Sequence, residues 1–324
     1  MEKKISVVIP TYKRPQLLVN CLDALASQTL DMAAFEVIVV SDGPDRHTRD
    51  ATTQWHSTHP SMNFCYLATL TKKGPAAARN MGWMAAKAPL IAFTDDDCLP
   101  EPGWLEAFVC RYQGEPHLVM TGRVQVPLSA QPTDFERNTA QLQTAEFVTA
   151  NCCCSKDALL IVGGFDESFS MAWREDSELQ FKMITEGIPV LHVDSACVRH
   201  PVRPAPWGVS LREQKKGQYN ALLYKKYPRL FREKIQKHPV WQYYAALLLF
   251  ITFCVALVLN LTLLAQLAFT GWLLSIAVFT WKRLRMTRKS MSHITEMMVT
   301  SILIPFVSIY WQWYGAVKYR ILLL

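Results

Sequence analysis

At 324 residues, half of them apolar and with a formal net charge of +7, the chain is long enough for one large domain or two modest ones with a sizeable core. The excess Lys and Arg gather in two clusters with no nucleic-acid motif beside them, which argues against nucleic acid and for a membrane surface. Nine cysteines without a C-x-x-C pair, and a start at Met1–Lys4 that leads into a strand rather than a signal peptide, fit reduced thiols in a cytosolic domain.

Ile5–Ile9 is a short β-branched apolar run, the pattern of a buried parallel strand. Pro10 and Thr11 end it, and Pro15 opens a helix to about Gln28. Phe35–Val40 repeats the strand signal and stops at Ser41-Asp42-Gly43-Pro44, strong turn chemistry. A helix around Asp45–His56, a strand near Phe64–Thr69 and an Ala-rich helix, Ala76–Ala86, follow. Leu90–Thr94 is the next strand and runs into Asp95-Asp96-Asp97. Strand and helix alternate, so the expected fold is a doubly wound α/β sheet, mainly parallel and flanked by helices. Ligands in such sheets bind outside the carboxyl ends of the strands, where residues 10–12, 41–43 and 94–97 all fall.

Beyond Pro100 the expected elements are a helix at Trp104–Tyr112, a strand near Leu118–Val126 and a polar loop or helix at Ser129–Gln143. A strand at Val148–Cys154, a helix from Arg174 to about Glu186, and short strands at Val190–Val193 and Ala196–Val198 complete this half. Three consecutive cysteines, 152–154, point alternately to opposite faces of a strand and are read as small buried hydrophobes rather than a metal site. Gly208–Tyr227 reads as one amphipathic helix. Between Arg199 and His238 only Glu213 and Glu233 are acidic.

Val240–Trp281 contains no Asp, Glu, Lys or Arg. Roughly 20 apolar residues cross a bilayer core, so this run suits two helices with a turn near Asn260–Thr262. Lys282, Arg283, Arg285, Arg288 and Lys289 follow, as expected of a cytoplasmic membrane flank. A third apolar stretch, Met297–Val317, carries Pro305 and the Trp311, Trp313 and Tyr314 group, which suit either a span or an interfacial helix.

Three adjacent carboxylates repel unless a cation compensates. In an extended segment Asp95 and Asp97 would share a face, and hard oxygen donors favour Mn²⁺ or Mg²⁺. Asp42 is placed to hydrogen-bond a nucleoside. Arg79, in the first turns of its helix, suits diphosphate or a plain surface position. Glu175 and Asp176 offer a carboxylate base for a hydroxyl, or merely complement a helix dipole. His200 is a candidate third metal ligand.

Taken in order, Val7-Val8-Ile9-Pro10-Thr11-Tyr12, Val39-Val40-Ser41-Asp42-Gly43, Gly74–Asn80, Phe93-Thr94-Asp95-Asp96-Asp97, Gly163-Gly164-Phe165-Asp166-Glu167 and Arg174-Glu175-Asp176 resemble the motifs of family 2 inverting glycosyltransferases with the GT-A fold. The resemblance covers roughly residues 5 to 227. It implies a nucleotide-diphosphate sugar donor, an acceptor hydroxyl on a lipid-linked or glycan molecule, and Mn²⁺ or Mg²⁺ as cofactor. It puts Pro10, Thr11, Tyr12 and Asp42 around the nucleoside, with Asp95 and Asp96 on the nucleotide sugar and Arg79, with Lys73, against the diphosphate. Asp97 and His200 would hold the metal, and Asp176, beside Glu175, would be the base. The expected organisation is a catalytic domain over 1–207, a basic juxtamembrane segment over 208–239 and a membrane domain over 240–324, at the inner membrane with catalysis on the cytoplasmic side. Ser41 departs from the second acid often found there. Residues 212–218 lack the Arg-Trp pair of processive synthases, so transfer of one sugar per encounter is expected. A processive polysaccharide synthase and a non-catalytic scaffold of the same fold are the rival readings.

Overall fold

The computed structural model of the chain describes residues 3–321. They form two compact units. One runs to Pro127 and resumes over Ala140–Val202; the other holds Leu128–Thr139 and continues from Arg203.

The first unit opens with β1 (Ile5–Thr11), α1 (Pro15–Ala26), β2 (Phe35–Ser41), α2 (Arg46–Thr58), β3 (Phe64–Ala68), α3 (Pro75–Ala85) and β4 (Leu90–Phe93). β1 and β2 are buried along their whole length, as continuous apolar strands covered on both faces must be. They pair in parallel, Val7 opposite Val37, with β3 and β4 parallel on either side. Alternate residues feed two cores. Val7, Ile9, Val37 and Val39 pack with Leu18 and Leu22 of α1. Val8, Ile38 and Val40 pack with Ala76 and Ala78 of α3. The small residues of α3 let it approach closely: a Cβ on Gly82 would lie 2.4 Å from a methyl of Val8.

The remaining elements are β5 (Leu99–Pro100), α4 (Trp104–Arg111), β6 (Val119–Gln125), then α5 (Asp134–Thr139) in the second unit, and β7 (Cys152–Ser155), α6 (Lys156–Val162), α7 (Glu175–Thr185) and β8 (Val190–Arg199). The eight strands stand in the order β3-β2-β1-β4-β7-β6-β8-β5. β7 is antiparallel to both β4 and β6, and β5 is antiparallel to β8. The sheet is therefore mainly parallel at one side and mixed at the other. The expected strand at 148–154 shrinks to four residues. The two short strands expected at 190–198 are one strand whose pairing with β6 shifts at Gly122–Arg123, where a Cβ on Gly122 would meet the Ala196 carbonyl at 2.1 Å. Cys152, Cys153 and Cys154 are fully buried free thiols on alternating faces of β7.

In the second unit the single helix expected over 208–227 is three pieces: α8 (Val209–Glu213), a 3₁₀ segment (Gln214–Gly217) and α9 (Gln218–Lys226), followed by α10 (Pro228–Lys234). Then come α11 (Trp241–Val258), α12 (Thr262–Leu284) and α13 (Met291–Tyr319), each long and apolar enough to cross a membrane by length and composition. The turn between α11 and α12 falls where expected, with Asn260 left-handed at φ 57°, a conformation asparagine tolerates. Tyr243 meets Phe279, Phe250 meets Trp272 and Phe253 meets Phe269 at ring separations of 5.4, 5.4 and 4.9 Å, a ladder holding the hairpin together. Arg283 departs from the expected lipid-facing cluster. Its guanidinium turns inward to Asp134 at 2.7 Å and to the hydroxyls of Ser210, Thr300 and Ser301. A satisfied ion pair replaces solvent there.

Candidate active site

The parallel strands deliver their polar ends to one edge. β1 ends on Pro10 and Thr11, with Tyr12 next; β2 ends at Ser41 before Asp42; β4 gives way to Thr94 and the three acids. Asp42 is buried, and its carboxylate accepts the backbone N–H groups of Lys73 at 2.7 Å and Gly74 at 2.9 Å. Gly74 is obligatory for this loop: it sits at φ +107°, and a Cβ would strike the Ser170 backbone at 2.6 Å. The Lys72 ammonium lies 4.1 Å from the centre of the half-buried Tyr12 ring.

After Phe93 the chain leaves the strand, and Asp96 and Asp97 form a turn closed by the Cys98 N–H on the Asp95 carbonyl at 3.1 Å. The extended geometry that would alternate the acids between two faces is thus replaced, and each reaches its own partner. Asp95 takes the Arg79 guanidinium at 2.7 Å. Asp96 accepts the Thr11 hydroxyl at 2.8 Å and Arg14 at 3.2 Å. Asp97 stands 3.8 Å from Nε2 of His200. Burial, partly offset by Arg14, pushes the Asp96 carboxyl up to about 6.

Arg79 is the hub. It points inward from the first turns of α3, 2 % exposed, and its second nitrogen binds Glu175 at 3.1 Å. Burial disfavours its charge, yet Asp95 and Glu175 outweigh that and hold it cationic more firmly than a free guanidinium. Glu175 has burial and the Asp176 charge against it, and these exceed the pull of Arg79, so its carboxyl rises to about 7. Asp176, half-buried at the start of α7, accepts its neighbour Ser177's N–H at 2.6 Å. Arg174 just before it is left-handed at φ 73°, the bend that begins the helix here.

His200 follows β8 and is fixed by its N–H on the Gln125 carbonyl at 2.8 Å. Its Nδ1 is buried with no hydrogen-bond partner among the described residues. Asp97, Cys98 and His200 bring one donor atom each to within 4.8 Å of one another. A carboxylate oxygen and an imidazole nitrogen this close, one ring nitrogen unsatisfied, suit a divalent cation of the Mn²⁺ or Mg²⁺ kind. The Cys98 thiol suits those ions less, because burial holds it well above the ordinary thiol range.

The structure thus gathers Arg79, Asp95, Glu175 and Asp176 in one linked group and Asp97 with His200 in another. Three further residues escaped sequence reasoning. Arg14 was unremarkable in a loop. Cys98 was one buried cysteine of several. Asn80 binds the Phe165 carbonyl and N–H at 2.9 Å each and Glu167 at 3.0 Å, fixing the Gly164-Phe165 turn. Its signal was its place at the end of the Gly74–Asn80 motif, where only Arg79 was assigned a role.

Comparison with known proteins defines the class. Residues 6–160 match the profile of Glycosyl transferase family 2, and residues 135–282 match that of Glycosyl transferase family group 2. The chain belongs to glycosyl transferase family 2 and has a GT-A-like fold. It is 29% identical over 170 residues to glycosyltransferase AglE of Haloferax volcanii, covering 50% of this chain and 55% of that one. It is also 29% identical over 223 residues to validoxylamine A glucosyltransferase of Streptomyces hygroscopicus, covering 57% and 52%. The chain therefore spans about half the length of these curated relatives. The mannosyltransferase PcManGT from Pyrobaculum calidifontis, solved with GDP-Man and Mn²⁺, superposes with a TM-score of 0.56 at 17% identity, over 98% of this chain and 87% of that one, a likeness of fold.

Proposed function

We propose that the protein moves a sugar from a nucleotide-diphosphate donor to an acceptor hydroxyl with inversion at the anomeric carbon, in cell-envelope glycan or glycolipid synthesis. The observation that carries this reading is the Arg79 pair of ion bridges. One buried guanidinium holds Asp95, at the end of β4, and Glu175, next to Asp176, so the donor-side acids and the candidate base are locked to a common part.

In this reading Pro10, Thr11, Tyr12 and Asp42 line the nucleoside pocket. The Tyr12 ring offers a stacking face, and the Asp42 carboxylate keeps lone pairs for the nucleoside beyond those given to the backbone amides. Asp95 lies against the ribose, while Asp96 acts from inside by holding Thr11 and Arg14. Arg79 positions Asp95 and Glu175 rather than meeting the diphosphate itself; Lys72 and Lys73 are the cations on the neighbouring loop. Asp97 and His200 are the residues that would hold Mn²⁺ or Mg²⁺, which when bound supplies positive charge against the departing diphosphate. Asp176 takes the acceptor hydroxyl's proton as the new oxygen–carbon bond forms on the face opposite the leaving group. Glu175, held by Arg79, keeps the start of α7 in place for that step.

The same reading assigns residues 1–207 to the catalytic part, 208–239 to a basic juxtamembrane segment and 240–324 to the membrane part. The α11–α12 hairpin crosses the inner membrane from the cytoplasmic side, where a lipid-linked or glycan acceptor is met. An Asp176→Asn protein should bind nucleotide sugar as wild type does and lose transfer by about 10²–10⁴-fold, the usual weight of a general base. Transfer at the wild-type rate would remove Asp176 from the mechanism.

A further inference from the structure

α13 passes the length test for a span, as α11 and α12 do. Its neighbours within the same unit set it apart. The basic α8–α9 segment lies along it from end to end. The Gly208 N–H binds Glu296 at 2.7 Å near the start of α13. Lys215 reaches over the Trp311 ring at 5.6 Å. A Cβ on Gly315 would meet the Gln218 carbonyl at 2.5 Å, so the two backbones touch there. Lys225 binds the Tyr319 carbonyl at 2.9 Å at the far end.

Whatever path α13 takes, this segment takes beside it, and it carries Arg212, Lys215, Lys216, Lys225 and Lys226. Lysine and arginine are among the least tolerated residues at the centre of a bilayer. The contacts of α13 with the hairpin point the same way. Thr300 and Ser301 bind Arg283 in the last turn of α12, and Gln312 binds Tyr244 near the start of α11. Both partners lie at the open base of the hairpin, far along the chain from the Asn260 turn. Between these contacts Phe306 meets Phe250, midway along α11, at 5.3 Å. From residue 300 to 312 α13 therefore passes from the end of one hairpin helix to the first half of the other, an oblique crossing rather than a third span along the hairpin's whole length.

We infer that α13 does not cross the membrane but lies in its headgroup region, with α8–α9 on its polar side, as a platform for an anionic lipid surface. Its outward residues fit that surface: Met298, Ile302, Leu303, Trp313 and Val317 are exposed, and Tyr310 is 59% exposed. Apolar and aromatic side chains of this kind settle at the acyl boundary, and the neighbouring lysines and arginines meet anionic headgroups.

The inference rests on the hairpin crossing proposed above, and the test separates the two. A membrane-impermeant thiol reagent is applied to intact cells and to inside-out vesicles carrying full-length Asn260→Cys or Arg320→Cys protein, with native exposed Cys65 marking the catalytic side. Asn260→Cys should be labelled from outside, whereas Arg320→Cys should be labelled only where Cys65 is. Labelling of Arg320→Cys from the side opposite Cys65 would show that α13 spans and overturn the inference. Labelling of Asn260→Cys on the Cys65 side would overturn the hairpin reading and the inference with it. The unaltered chain gives a second readout: trypsin should cut after Lys318 in inside-out vesicles, and protection there together with cleavage from outside would also overturn it.

Discussion

Arg79 shows how much one buried charge organises. Removing it by Arg79→Ala leaves Asp95 and Glu175 uncompensated, and breaking a buried pair of this kind costs about 3–5 kcal/mol. The variant should melt well below wild type in detergent, and an unchanged melting temperature would mean the bridges contribute nothing. Glu175 gives a pH signature. Its carboxyl ionises near 4.5 in a free chain and is held up to about 7 in the fold. Between those values the folded state binds more protons, so this group's contribution lowers stability as pH rises through that window. Glu175→Gln cannot titrate. Its melting temperature relative to wild type should therefore climb from pH 4.5 to pH 7 and then level off; a flat difference would contradict the assignment. The acids themselves were legible in the sequence because carboxylates at a strand end have few other reasons to crowd. Their partners were not. Arg79 lies 96 positions from Glu175 in the chain, and only the fold brings α3, the end of β4 and the start of α7 together.

At the scale of elements, the apolar β1, β2 and β4 and the Ala-rich α3 stand within a residue or two of their expected places, because buried parallel strands carry an unmixed signal. The later half was read less well for physical reasons. β7 runs antiparallel and is only four residues long, so nothing in Val148–Cys154 marks where pairing starts. Residues 208–227 break into α8, a 3₁₀ turn and α9 where Gly217 weakens the helix. The inward turn of Arg283 was also hidden, since a basic cluster after an apolar run reads as a headgroup contact. Its pairing with Asp134 ties α5 to the end of α12 within one unit. Arg283→Ala and Asp134→Ala should each speed amide exchange in α5, and the double variant should add little to either single one, as expected of residues sharing one interaction. Additive effects would separate the two residues.

For the whole molecule, the uneven spread of charge along the chain marks out three candidate membrane helices, while the number of crossings depends on how the helices pack. A lysine or arginine carried to mid-bilayer costs about 2.5–3.5 kcal/mol on the insertion scale, and the segment beside α13 carries five such residues. Hydropathy alone rates α13 at 1.5 against 1.9 and 1.8 for the hairpin helices, too small a gap to decide. The proposed division of labour is a site at the strand ends for nucleotide sugar and metal, and a C-terminal part for the membrane. The central claim is that the site binds nucleotide sugar through a cation held by Asp97 and His200. It is tested most directly by thermal stabilisation of the purified full-length protein across a panel of nucleotide-diphosphate sugars, with Mn²⁺ or with EDTA, in wild type and Asp97→Asn. Binding to the folded state raises the melting temperature by linkage. The account predicts that at least one donor stabilises the wild type with Mn²⁺, and that the shift disappears with EDTA and in Asp97→Asn. A shift that survives both would contradict it.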